Sequence, residues 1–75
     1  MKLSELKKGQ SGKIVAMPLA GVLKRRLAEM GMLVGEVVRV EGVAPLGDPM
    51  ELTVRKYRLT LRKSDTEHIA VEEVR

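Results

Sequence analysis

Between Gly31 and Gly35 the apolar pattern of this chain changes its period, and that change narrows what it can fold into more than any other feature. Upstream, Leu23, Leu27 and Met30 recur at i, i+4 and i+7, one stripe of a helix, with Lys24, Arg25 and Glu29 mostly off it. Downstream, apolar and polar residues alternate, which is the period of strands. Gly31 is expected to stop the helix in the left-handed conformation that glycine adopts without a Cβ clash. Leu27 and Met32 then hold the two positions whose side chains touch in a Schellman ending. Gly35 turns the chain into Glu36-Val37-Val38-Arg39-Val40. This handover from helix to strand is structural and carries no function by itself.

The remaining elements follow in order. Leu3 and Leu6 suit one turn of helix set on a core, and Gly9 and Gly12 are expected to bracket a turn. Lys13-Ile14-Val15-Ala16-Met17 reads as the first strand, ended by Pro18. The helix begins around Ala20 or Gly21 without Ser, Thr, Asp or Asn to cap it, so its stability should come from packing. In Glu36 to Val43, Val38 and Val40 share one face, and Arg39 and Glu41 the other. Met50, Leu52 and Val54 are apolar at even positions, and Tyr57, Leu59 and Leu61 at odd ones. This places a tight reversal at Arg55-Lys56 and predicts a hairpin. Neither turn residue is Gly or Asn, so strain or a looser turn is expected there. Ser64-Asp65-Thr66-Glu67 has the Ser-x-x-Glu spacing of a capping box opening one helical turn, and Ile69-Ala70-Val71-Glu72 resumes alternation as a closing strand. Seventy-five residues leave room for one core, so residues 1–75 form a single domain. The predicted fold is mainly β: five strands, one inserted α-helix and one short helical turn. Such a sheet exposes its edges unless it curls, which favours a small SH3-like or OB-like barrel.

Composition limits the function. The chain has no cysteine, hence no disulfide or thiolate metal site, and a secreted domain this small would usually be stapled. A cytoplasmic location is expected. Met1 opens a polar, mixed-charge segment, and no apolar run approaches the roughly 20 residues that span a bilayer, so a soluble chain without membrane insertion is expected. The net charge of +4 invites a nucleic-acid reading, but acids are interspersed among the Lys and Arg, and Tyr57 is the sole aromatic. Barrels that bind single strands stack bases on several aromatic platforms, which argues against nucleic acid here. A basic small-barrel nucleic-acid binder and a transition-metal-binding regulatory domain remain the alternatives. Nothing points to an enzyme or a cofactor: Asp48, Asp65 and the glutamates form no spaced pair, and no phosphate loop or nucleophile elbow is present. His68 alone, near Asp65 or Glu67, is a weak metal ligand set, so no metal site is assigned. Met30 and Met32 read as core or interface packing.

The segment Gly42-Val43-Ala44-Pro45-Leu46-Gly47-Asp48-Pro49 is the least strand-like. Its prolines fix φ and restrict Ala44 and Asp48, while Gly47 permits a turn. Such a loop would present Val43, Ala44, Pro45, Leu46, Gly47 and Asp48 in a predetermined shape, which lowers the ordering entropy of binding. The same spacing equally serves a wide turn between strands.

Arg26-Leu27 through Gly31-Met32, then Gly35, then Ala44 to Pro49, then Leu59 to Arg62, in this order and spacing, resemble the FeoA family, small cytoplasmic components of bacterial ferrous-iron uptake. The resemblance runs from about Leu3 to Val71. It implies an SH3-like β-barrel with an inserted helix and a role supporting FeoB, the membrane ferrous-iron transporter with a cytoplasmic G-protein domain. Lys56 departs from it, because many relatives carry glycine there; this bears on the turn, not the fold. The resemblance extends to the SH3-like C-terminal domains of metal-dependent repressors of the diphtheria-toxin-repressor type. A chain opening at Met1 without a helix-turn-helix before its barrel favours the stand-alone transport component. The expected function is a non-enzymatic adaptor that docks on the cytoplasmic side of a FeoB-type transporter and alters its assembly or nucleotide cycle, with weak self-association compatible. Its expected contact residues are the loop from Val43 to Asp48, with Leu23 and Arg26 on the helix as a second surface. Tyr57 alone cannot line the aromatic groove by which SH3 domains take proline-rich segments, so fold and ligand are separate questions.

Overall fold

Five antiparallel strands form one sheet in the computed structural model, which describes every residue from Met1 to Arg75. They are β1 (Ser11–Ala16), β2 (Val37–Val43), β3 (Met50–Val54), β4 (Tyr57–Leu61) and β5 (Ala70–Val74). The sheet order is β4-β3-β2-β1-β5, so β2 to β4 form a meander and β5 returns to pair with β1. Helix α1 (Gly21–Glu29) is inserted between β1 and β2, the short α2 (Lys63–Thr66) precedes β5, and a 3-10 turn spans Leu3–Glu5. This is the mainly β, SH3-like arrangement with an inserted helix that the sequence predicts. Its curl has a local cause: Val15 is an extra residue in β1 opposite β5, and Glu41 an extra residue in β2 opposite β3. Such bulges bend a strand and sharpen its twist.

The concave side holds the core. Ile14, Val38, Val40, Leu52, Val54 and Val71 point into it from four strands, and Leu3, Leu6, Leu27, Met32 and Ile69 close it. Each fully buried aliphatic side chain contributes about 1.5–3 kcal/mol relative to exposure. The helix ending has the expected form. Met32 N–H donates to Leu27 O at 2.9 Å and Gly31 N–H to Ala28 O at 3.0 Å, with Gly31 at φ +89°. Leu27 and Met32 are both buried, as the Schellman positions require.

Three expectations are corrected. Gly12 is not in a turn: it lies in β1, where a Cβ would come within 2.9 Å of Leu6 Cδ1 and 3.0 Å of Val71 Cβ. The first strand accordingly starts at Ser11 and ends at Ala16. The Ser64–Glu67 capping box does not form. Helix α2 starts two residues earlier, with Arg62 rather than Ser64 at the N-cap and no side-chain hydrogen bond from that residue. The Arg55-Lys56 reversal, by contrast, is tight as expected, Val54 pairing directly with Tyr57, and the expected strain falls on Arg55, at φ 53°.

The two sheet edges differ. Along β5, Leu3 N–H donates to Ile69 O and Val71 N–H to Met1 O, both at 2.8 Å, so the first residues cover the start of that edge. No segment lies along β4 in the same way.

Candidate functional site

The loop after β2 is built on a tight turn. Gly47 N–H donates to Ala44 O at 2.7 Å across Pro45 and Leu46, and Ala44 N–H donates to Pro49 O at 3.1 Å at the base. Proline second and glycine fourth are favoured places in a type I turn. Leu46 sits at the tip and is 91% exposed. Val43 is exposed at the end of β2, and with Ala44 it lines a recess of about 290 Å³ that Glu51 and Thr60 also border. Asp48 faces the body of the protein. Its Oδ1 accepts from the Lys63 backbone N–H at 3.1 Å and lies 3.9 Å from Arg62 Nε. It therefore meets one of the unpaired donors at the start of α2 and ties the loop to that helix.

Leu23 and Arg26 stand elsewhere, on one wall of a groove of about 390 Å³. With Leu27 and Met30 they make a single stripe of α1, and the opposite wall is Arg58 to Arg62, five consecutive residues, with Asp65 at the end. The two expected surfaces thus meet at β4. Thr60 borders both the groove and the loop recess, and Arg62 lines the groove while approaching Asp48. Sequence reasoning missed Arg58, Thr60 and Arg62. Their alternation with Leu59 and Leu61 marked them as the polar side of a strand, but not as the end of the sheet.

The charges around the groove are unevenly paired. Arg58 bonds to Glu51, and Arg62 has Asp48 nearby. Arg26 is absent from every ion pair of the molecule. At the hairpin tip, the Arg55 guanidinium donates to Glu36 and holds its carboxyl below the usual carboxylate range. No three His, Asp or Glu side chains converge where they could hold a metal ion, and His68 is exposed with Nε2 at 3.7 Å from Glu67. No helix is long and apolar enough to cross a membrane.

A curled sheet with two open recesses and no converging titratable groups defines a small SH3-like module with surfaces suited to contact. The FeoA domain model matches residues 1–73, and the chain belongs to the FeoA family. A curated relative, the Fe(2+) transport protein A/Fe(2+) transporter FeoB fusion protein of Porphyromonas gingivalis, is 39% identical over 72 residues, 96% of this chain and 8% of its own length. The solution structure of iron(II) transport protein A from Clostridium thermocellum superposes with a TM-score of 0.87 at 39% identity, covering 99% of this chain and 46% of that one. The zinc complex of Stenotrophomonas maltophilia FeoA, described as a procaryotic SH3 domain protein, gives 0.78 at 33% identity, covering 96% and 89%. This chain therefore spans less than half the length of the first two relatives. The family is associated with ferrous-iron transport.

Proposed function

We propose that this chain is a non-enzymatic accessory protein of ferrous-iron uptake that docks on the cytoplasmic side of a FeoB-type transporter and modulates it. The observation that carries this reading is the Porphyromonas gingivalis relative, in which a sequence like this one shares a polypeptide with the transporter. Fusion holds two modules at a high effective concentration, so where they are separate chains the surfaces themselves must supply the association. The candidates are the loop Val43, Ala44, Pro45, Leu46, Gly47 and Asp48, with Leu46 outermost, and Leu23 and Arg26 on the groove wall.

The test is a pull-down of the detergent-solubilised transporter by the tagged wild type and by Leu46→Asp, both checked by circular dichroism. Capture by the wild type alone makes the loop the contact. Capture by both keeps the docking and moves it to the groove. Capture by neither overturns the direct-partner reading.

A further inference from the structure

We propose that β4 is a docking edge, along which an extended segment of the partner adds to the sheet as a sixth strand. This rests on the docking reading above and assigns its mode. Side chains on a strand alternate between its faces, so a groove lying against one face would be bordered by every second residue. This groove is bordered by Arg58, Leu59, Thr60, Leu61 and Arg62 in succession, so it runs along the edge of the strand. The two-residue hairpin makes Val54 and Tyr57 a hydrogen-bonded pair, and the ladder then alternates. Tyr57, Leu59 and Leu61 turn their backbone groups to β3, and Arg58 and Thr60 turn theirs outward. The other edge is covered over its first residues, where Leu3 bonds to Ile69 and Met1 to Val71.

The wall opposite selects the occupant. Leu23 of α1, Met30 at the end of that helix and Leu59 of β4 offer apolar contact, and Arg26 stands on the same wall without an acidic partner. An extended segment with apolar residues on alternate positions and a Glu or Asp opposite Arg26 matches both features. Main-chain bonds then supply affinity, and the groove supplies selection.

Thr60→Pro is the variant that tests this, because it removes an outward donor that the internal ladder does not use. The probe is the purified, detergent-solubilised FeoB-type transporter. Its affinity for the wild type, Thr60→Pro and Arg26→Glu is measured, and hydrogen–deuterium exchange of the wild type over 57–61 is followed with and without it. The expected result is at least tenfold weaker binding by both variants, with exchange at Arg58 and Thr60 slowed in the complex. Equal binding by folded variants, with exchange at those two amides unchanged, overturns strand addition and leaves docking intact. If Thr60→Pro does not fold, the exchange measurement and Arg26→Glu decide by the same criteria. A wild type that does not bind at all overturns the docking reading itself, and strand addition with it.

Discussion

The side chain of Arg55 lies across the α-carbon of Gly31: a β-carbon at position 31 would sit 2.8 Å from Arg55 Cδ and 3.1 Å from its Nε. The hairpin tip therefore rests on the helix ending, and Arg55 reaches over it to Glu36. Glycine at position 31 answers two needs, the positive φ and the space under the arginine. Gly31→Ala should lower stability by roughly 1 kcal/mol or more from the conformational cost alone, read as a lower urea midpoint. In an Arg55→Gly background the same substitution should cost less, because the clash is gone. Coupling between touching residues runs at about 0.5–3 kcal/mol, and a coupling of zero in the double-mutant cycle would remove the contact from the account.

Asp48 is expected to act on stability. It accepts the Lys63 N–H at the start of α2. Asp48→Ala should cost about 0.5–2 kcal/mol, the range for losing a helix N-terminal acceptor, and Asp48→Asn should recover part of it. The Lys63 amide resonance should move in both spectra.

Leu46 behaves in the opposite way. At 91% exposure it can lose its side chain with a change within about ±0.5 kcal/mol, whereas Leu52→Ala, in the core, should cost about 2–5 kcal/mol. Equilibrium urea unfolding of the two variants side by side reads the contrast directly.

Gly12→Ala should cost about 1–3 kcal/mol, because the new methyl group enters space held by Leu6 and Val71 in a filled core. Trimming Leu6 to Ala should reduce the added penalty, though not the cost of the cavity.

Glu36 gives a pH dependence. Its bond from Arg55 lowers the folded-state pKa, so the folded protein binds this proton less readily than the unfolded chain does. The stabilisation is present above the unfolded carboxylate value of about 4.3 and is lost as the pH falls through the folded value. The stability difference between wild type and Glu36→Gln should be constant at neutral pH and shrink in acid. A difference that instead grew in acid would contradict the pairing.

What the sequence disclosed was the part of the fold decided locally. The Leu27–Gly31–Met32 ending lies within two turns of chain, and the parity switch around Arg55-Lys56 needs only the period of a strand. What it withheld depends on residues far apart. Helix α2 takes the acceptor for its first N–H from Asp48, 15 positions away, so the Ser64 spacing imitates a cap that the chain does not use. Gly12 looked like turn punctuation because the close approach of Leu6 and Val71 exists only after folding. Along the sequence the loop and the helix are separate surfaces, and Thr60 borders both recesses because β4 is the last strand of the sheet, a long-range fact of topology.

The unequal ends of the sheet also set how this molecule can assemble. Repetition requires two complementary faces, one to give and one to receive. Here Met1 and Leu3 cover the Ile69–Val71 stretch at one end, whereas no segment covers β4 at the other. Under the strand addition proposed above, the partly covered β5 and the uncovered β4 receive a neighbour unequally, so growth through the sheet is one-sided.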